Sequence, residues 1–295
     1  MKHAFLIIAH NNWALLERLL KKIDHPNNDI YLHIDKKSQL SQQVVLDIKV
    51  ACKYSSIKFI KRNKINWGGF SLTNAELRLL EEAKKVGYDY YHIMSGIDFP
   101  TKSMEYIQRF FEENNGYEFV HFVGKKFVKD SAERYEKYHF FQEYVGRNES
   151  GFLFLIERIL LKTQRVLKVT RSKKYSDIIF KMGSQWCSLT DDFVSYLLSK
   201  ERMIKKLFSF SVCSDECFVQ TMLYNSEFKE HIFYGNGTSD SNIQCLRSID
   251  WKRGNPYTYQ ESDYDELAHS GNLFCRKVSD SEPKYERLVS KLELL

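Results

Sequence analysis

The sequence predicts an α/β fold with a mostly parallel sheet flanked by helices. Two observations support this prediction. Apolar runs of strand length alternate with helical patterns over the first 115 residues, and polar turns follow the apolar runs. Such alternation is typical of parallel βαβ units. The chain of 295 residues, 43% hydrophobic and 28% charged, can also bury a core.

The first half is predicted to hold four strands and three helices. The strand patterns lie at 4–10, 29–38, 57–62 and 88–96, and the helical patterns at 12–23, 71–86 and 104–114. Ligands of parallel sheets bind beyond the carboxyl ends of the strands. His10, Asp35 and Asp98 follow three of these strands, and we therefore expect them to converge on one crevice.

The second half is less regular. An apolar helix is predicted at 153–167, within a stretch from 124 to 182 that is rich in Lys, Arg and Tyr. This helix is either buried with a solvated basic edge or lies on an anionic membrane surface. Farther on, the patterns predict a strand and a helix over 184–198 and another helix over 214–226. Residues 263–278 are predicted to form a short helix that stops at Gly271, followed by a basic strand or loop.

Charge, cysteine spacing and the first apolar run indicate the class of protein. The formal charge of +6 suits an anionic ligand or an acidic membrane face and does not demand nucleic acid. The six cysteines include no CxxC pair, so we expect reduced thiols in a cytosolic protein rather than a zinc site. The first apolar run is too short for a signal peptide or a membrane span, and we expect a soluble, intracellular protein.

Two carboxylates and one tryptophan in the first half are candidates for binding. Asp35 is placed to accept hydrogen bonds from a ribose or a base, or to close an Asx turn. Asp98, in "SGIDFP", is a single carboxylate and hence a poor Mg²⁺ or Mn²⁺ site; it either orients a sugar hydroxyl or caps the next helix. Trp67 precedes two glycines, which allow close approach of a ligand or make an ordinary turn.

Asp215 and Glu216 are adjacent at the start of the predicted helix over 214–226. Adjacent helical residues point in different directions. One of these acids can therefore cap the helix while the other faces the crevice as a general base. Later in the chain, five basic residues form either a solvated face or a site for a diphosphate: Arg247, Lys252, Arg253, Arg276 and Lys277.

The order of motifs resembles one family. "AFLIIAH", "YLHIDKKS", "NWGGFSLTNAELRLL", "HIMSGIDFPTKS", "GSQWCSLTDDFVSYLL", "SDECFVQTML" and "LFCRKV" are similar to the core-2/I-branching β-1,6-N-acetylglucosaminyltransferases, their bacterial relatives and the xylosyltransferases. The resemblance covers about residues 4–280 and is weakest over 124–182. It implies a GT-A type fold with a Rossmann-like sheet, in one domain over 1–295. Residues 1–115 would form the nucleotide-binding half, and 116–295 the acceptor and catalytic half.

The resemblance also implies an inverting transferase that uses a UDP-sugar donor, no divalent metal and a glycan or lipid-linked glycan acceptor. Glu216 is similar to the general base, Lys277 to a cation on the diphosphate, and Asp35 to the aspartate beside the uridine. The usual arginine before the tail helix is missing, and Arg253 is expected to replace it, with Arg276 and Arg247 as the alternatives. Glu216 is the predicted catalytic residue. The predicted nucleotide site consists of His10, Asp35, Trp67, Asp98, Arg253 and Lys277.

Trp186 is a candidate platform for a sugar ring or a core residue, and Asp215 is assigned with it to the substrate site. No motif identifies the sugar. UDP-GlcNAc is the favoured donor, with UDP-xylose, UDP-glucuronate and UDP-glucose as alternatives. A non-catalytic sugar- or nucleotide-binding module is the rival from another class. The Golgi members' membrane anchor is missing, so the resemblance suggests a bacterial cytoplasmic enzyme of surface polysaccharide synthesis, with peripheral contact to an anionic membrane as an option.

Overall fold

The computed structural model describes residues 1–235 and 241–295. Its strands are β1 His3–Ala9, β2 Asn28–Ile34, β3 Ser56–Phe59, β4 Tyr90–Ser95, β5 Asp98–Pro100, β6 Cys187–Thr190, β7 Arg247–Ile249 and β8 Phe274–Arg276. Its helices are α1 Trp13–Lys22, α2 Gln42–Lys49, α3 Phe70–Lys84, α4 Met104–Glu113, α5 Lys125–Asp130, α6 Glu133–Glu136, α7 Gln142–Val145, α8 Phe152–Val166, α9 Asp191–Ser199, α10 Glu201–Phe208, α11 Phe218–Tyr224, α12 Tyr264–His269 and α13 Pro283–Glu293.

The predicted α/β architecture is confirmed. The main sheet has the order β3-β2-β1-β4-β6, in which the first four strands run parallel and β6 is antiparallel to β4. All seven residues of β1 are buried, because the strand lies in the middle of the sheet with helices on both faces. The carboxyl ends of β1, β2 and β4 therefore meet at one edge.

The two faces of the main sheet carry separate cores. Alternate residues of β1 belong to different apolar clusters: Leu6 and Ile8 pack on the side of α3 and α9, and Phe5 and Ile7 on the side of α1, α4 and α13. This division follows from the two-residue period of a strand. Helix α1 contributes leucines spaced so that they share one face, and all four are buried: Leu15, Leu16, Leu19 and Leu20.

A second, three-stranded sheet has the order β5-β8-β7. Strand β5 follows β4 after only two residues, and it pairs antiparallel with β8 in a register that sets Asp98 opposite Arg276. The motifs "SGIDFP" and "LFCRKV", which lie far apart in sequence, are thus neighbours beside the carboxyl edge of the main sheet.

One predicted helix is broken in the structure. Residues 214–226 form a 3₁₀ turn, Ser214–Glu216, followed by α11. The break arises because Cys217 leaves helical geometry at φ −128°, and Cys213 enters the turn in the left-handed region at φ 52°. Asp215 and Glu216 therefore lie on a tight turn and not in the first turn of a helix.

The alternative that Asp98 caps α4 is wrong. The cap of α4 is Ser103, whose hydroxyl accepts from the Tyr106 amide at 3.3 Å. For Asp35 the Asx turn is confirmed, since the Lys37 amide donates to Asp35 Oδ1 at 2.9 Å. This turn keeps Asp35 fixed at the end of β2.

Candidate functional site

A cleft of about 420 Å³ lies at the carboxyl edge of the main sheet. The strand ends contribute Ala9, His10, Asp35 and Ser95 to its lining. Other segments add Trp67, Arg147, Trp186, Asp215, Glu216 and Arg276. The structure therefore brings together His10, Asp35, Trp67, Trp186, Asp215 and Glu216 of the predicted site residues.

Asp98 lies beneath this cleft and holds a guanidinium in it. The carboxylate is 1% exposed; Oδ2 accepts from the Ser95 amide at 2.8 Å, and Oδ1 accepts from Arg276 Nη1 at 2.5 Å. The Arg276 guanidinium stacks on Trp186, 4.2 Å from the ring centroid. A buried, charge-assisted pair fixes a cation more firmly than a surface ion pair does. Asp98 thus acts through Arg276.

The turn Ser214–Glu216 presents two acids to the cleft. The Glu216 carboxylate pairs with Arg134 Nη1 at 2.8 Å. Burial raises the pKa of Glu216, and the Arg134 guanidinium opposes this effect. Asp215 is 4% exposed, and burial together with the neighbouring charge of Glu216 raises its pKa to about 7. The two acids are therefore in different environments although they are adjacent in sequence.

Helix α3 supports this turn from below. Thr73 Oγ1 and Ser214 Oγ share a hydrogen bond of 2.7 Å. Glu76, 1% exposed, accepts from Gln185 Nε2 at 2.9 Å, and its pKa is raised well above the ordinary value by burial and then by the charge of Asp215. Within the described chain, Glu76 Oε2 and Asp215 Oδ1 are buried without a hydrogen-bond partner. A protonated Glu76 is the form that such burial favours.

The wall around Trp67 is built by the segment after α6. The Arg147 guanidinium lies 4.8 Å from the centroid of a Trp67 ring. Glu143 receives the Ser71 amide at 3.2 Å and so caps the N-terminus of α3. A Cβ on Gly69 would lie 2.2 Å from Glu143 Oε2, so the second glycine of "NWGGF" makes room for this contact.

The candidate cations have different locations. Arg276 lines the cleft, and Lys277 follows it at the end of β8, half-buried and outside the lining residues. Arg253 pairs with Asp263 at 2.7 Å and also with Asp250, away from the cleft lining. Arg247 is fully buried and donates to the Cys187 carbonyl at 2.8 Å. Arg253, the first choice to replace the missing arginine, thus lies outside the cleft lining, whereas the alternative Arg276 lies in it.

Several residues that line the cleft or contact its acids were not predicted from the sequence. Arg134 and Arg147 lie in the irregular segment, where no periodicity pointed to them. Lys37, which follows Asp35, lines the cleft and bonds to Asn66 Oδ1 at 3.1 Å. The burial of Glu76 could have been predicted, because Glu76 shares the apolar face of α3 with Leu80 and Ala83, at positions i, i+4 and i+7.

A larger cavity of about 800 Å³ lies beside the cleft. Its described lining includes Phe127, Asp250, Trp251 and Glu266. Arg134 contacts one lining residue of each space: its guanidinium is 5.9 Å from the Phe127 ring centroid and also pairs with Glu216. Trp251 is 54% exposed, which is unusual for so large a ring.

No three side chains of His, Cys, Asp or Glu converge as metal ligands in residues 1–235 and 241–295. The same ranges contain no helix that combines the length and apolarity needed to cross a bilayer. The six cysteines all lie in the described ranges and form no disulfide there.

The fold and the cleft define an α/β protein with a ligand site at the carboxyl edge of its sheet. The family profile described as "Core-2/I-Branching enzyme" matches residues 3–270. The chain belongs to this family, which is a family of glycosyltransferases.

Known relatives include Xylosyltransferase 2 of Canis lupus familiaris and of Homo sapiens, each 24% identical over 299 residues that cover 94% of this chain and 32% of the relative. Xylosyltransferase sqv-6 of Caenorhabditis briggsae is 24% identical over 262 residues, covering 86% of this chain and 29% of that protein. The chain spans about a third of the length of the curated relatives that it matches.

Two solved structures are similar at a lower level. Mouse xyloside xylosyltransferase 1 in its apo form gives a TM-score of 0.41 at 9% identity, covering 95% of this chain and 99% of that one. Core-mannan synthase A of Aspergillus fumigatus gives 0.36 at 11% identity, covering 76% and 70%. Likeness at this level carries no argument about the site.

Proposed function

We propose that this protein is an inverting glycosyltransferase that moves a sugar from a UDP-sugar to a hydroxyl of a glycan. One observation carries the proposal: Glu216, a carboxylate with a raised pKa, lines the same cleft as Arg276, a guanidinium held by a buried aspartate. A base and a cation that share a cleft suit a displacement in which a diphosphate leaves. Membership of a glycosyltransferase family supports the same reaction.

The proposed reaction is a single displacement. Glu216 takes the proton of the acceptor hydroxyl while that oxygen forms a bond to the anomeric carbon. The bond from this carbon to the diphosphate oxygen breaks on the opposite face, and UDP leaves with the electron pair. Inversion requires one base and no protein nucleophile, in keeping with the single carboxylate assigned to chemistry.

Arg276 and Lys277 are the proposed cations for the departing diphosphate. Arg276 is already oriented by Asp98 and Trp186, so little reorganisation is needed when charge develops. Asp35 and Trp67 flank the other end of the cleft, where a ribose and a base would lie. His10, at the end of β1, completes this proposed nucleotide site.

We propose that the transfer does not require a divalent metal. The support is the engagement of Asp98, the carboxylate where nucleotide-sugar enzymes often hold a metal. Its two oxygens accept from the Ser95 amide, the Ser95 hydroxyl and Arg276. A carboxylate used in this way makes a poor ligand for a hard cation.

UDP-GlcNAc is the first candidate donor, from the sequence resemblance. UDP-xylose is the second, because the relatives named above are called xylosyltransferases. The acceptor is proposed to be a glycan or lipid-linked glycan of bacterial surface polysaccharide, and the larger cavity with Trp251 is the space in which it would lie. A ring of this size at a cavity wall suits stacking on a sugar.

The test is UDP release by the purified protein with a panel of UDP-sugars, with and without EDTA. Slow hydrolysis of one donor that persists in EDTA is expected and would identify the sugar. Loss of release in EDTA would overturn metal independence. UDP binding without release from any donor, even with oligosaccharide acceptors added, would instead support a non-catalytic binding module.

A further inference from the structure

Helix α8 has an inverted distribution of polar and apolar side chains. Three of its residues are buried, and two of these are polar: Glu157 is 4% exposed and Gln164 is 8% exposed. Glu157 accepts from the Phe141 amide at 3.0 Å, and Gln164 exchanges two hydrogen bonds with the Tyr138 backbone. Polar contacts thus anchor the helix to the protein.

The opposite face of α8 is an apolar stripe that the rest of the described chain leaves exposed. Its members recur at helical spacing and are largely exposed: Phe152 76%, Leu155 57%, Ile159 55% and Val166 73%. Single exposed apolar residues need no explanation, but a stripe over the full length of a helix does. We call these four residues the outer stripe.

Basic residues border the outer stripe. Arg158 and Lys162 are exposed on α8, and Lys168 follows its end. Within the described residues, none of these three has a carboxylate within salt-bridge distance. Residues 147–174 contain eight Lys or Arg and two Glu, an excess as large as the +6 of the whole chain. Of these, Arg171 is buried, Arg165 pairs with Glu133 and Arg147 lies over Trp67, so the cations that border the outer stripe are Arg158, Lys162 and Lys168.

We propose that the outer stripe of α8 docks on an anionic lipid bilayer, with the helix lying in the plane of the interface. An apolar face bordered by Lys and Arg is the pattern of interfacial helices. The apolar side chains enter the acyl boundary, and the cations pair with anionic headgroups. A second copy of this chain would instead bring two basic borders together, and like charges disfavour that arrangement.

The location of α8 links the docking surface to one wall of the cleft. The helix packs on α7, and α7 holds the Trp67 wall: Gln142 donates to the Trp67 carbonyl at 3.2 Å, and Glu143 caps α3. Docking would thus bring one wall of the cleft close to the lipid surface. The docking itself stands apart from the proposed transfer, although it would suit a lipid-linked acceptor.

The test is flotation of the 295-residue protein with vesicles of phosphatidylcholine alone or mixed with phosphatidylglycerol. Binding is expected only to the anionic vesicles and should fall at high salt, because screening weakens the headgroup contacts. The double variant Leu155→Gln/Ile159→Gln should reduce binding about tenfold or more. Arg158→Gln/Lys162→Gln should reduce it on anionic vesicles too.

The matched control is Leu46→Gln/Val50→Gln, which removes two side chains of comparable exposure, 56% and 78%, at α2. It should leave vesicle binding unchanged. Circular dichroism and slow donor hydrolysis should match wild type in all variants, since none alters the cleft.

Failure of wild type to bind anionic vesicles would overturn the docking, as would equal losses in the α2 control. Sedimentation velocity tests the other possible partner of the outer stripe, a second copy of the chain. A dimer that dissociates in Leu155→Gln/Ile159→Gln, with no vesicle binding, would assign the outer stripe to a second copy of the chain and refute the lipid proposal. Donor hydrolysis in solution tests the transferase separately.

Discussion

At the scale of single residues, Glu216 has the most specific predicted role. Replacement by Gln keeps the shape of the side chain and removes the base, so turnover should fall by about 10²–10⁴. UDP affinity, measured by calorimetry, should stay within experimental error. Glu149→Gln is the control, since Glu149 is exposed and does not line the cleft. Full activity of Glu216→Gln would assign the proton transfer to another group.

Arg134 sets the ionisation of that base. Glu216 acts when deprotonated, so activity is present above its pKa and lost below it. Burial raises this pKa and Arg134 lowers it; Arg134→Gln should therefore move the acid limb of the kcat/KM profile to higher pH. Arg165→Gln, which breaks an ion pair with Glu133, should leave the limb in place. An unchanged limb in Arg134→Gln would contradict the ion pair as a tuning contact.

Three cations can be compared by the affinity for UDP. Arg276→Gln and Lys277→Gln should each weaken binding about tenfold or more, because each would remove a charged hydrogen bond to the diphosphate. Arg253→Gln should have little effect, since Arg253 is paired with Asp250 and Asp263 away from the cleft lining. If Arg253→Gln weakened UDP binding while Arg276→Gln did not, the assignment of the second cation would reverse.

At the scale of elements, the segment that leads into β6 lies close against the backbone of His121 at Gly183. A Cβ at this position would lie 1.7 Å from the backbone oxygen of His121, which cannot rotate away. Gly183→Ala should destabilise the fold by about 1–3 kcal/mol, as overpacking does. Gly124→Ala meets no atom within 4 Å and should change stability by less than about 0.5 kcal/mol. Urea unfolding of both variants gives the comparison.

Elements with strong periodicity could be predicted from sequence. Strands β1, β2 and β4 and helices α1, α3 and α4 lie close to their predicted ranges, because burial on the sheet imposes their apolar spacing. Helices α5 to α7 could not be predicted, since each has only four to six residues. Short helices of that kind are stabilised by contacts such as that of Glu143 with α3, and sequence periodicity does not record them.

At the scale of the whole molecule, the candidate site joins distant parts of the chain. His10 and Asp35 could be placed from the rule for parallel sheets. The contact of Asp98 with Arg276 spans 178 positions, and that of Arg134 with Glu216 spans 82. Neither contact follows from local pattern. The positions of Asp98 and Arg276 were expected from motifs, but their pairing required the second sheet.

Two tryptophans that each lie against an arginine make the fluorescence of the protein sensitive to ligands. Trp67 and Trp186 are two of four tryptophans in the chain, and each has a guanidinium over its ring, at 4.8 Å and 4.2 Å. Indole emission responds to the charge and hydration next to the ring. A ligand that takes up Arg147 or Arg276 must therefore change the intrinsic fluorescence of the protein. Occupancy of the cleft can be followed without a label, with the single variants Trp67→Phe and Trp186→Phe reporting which end has been filled.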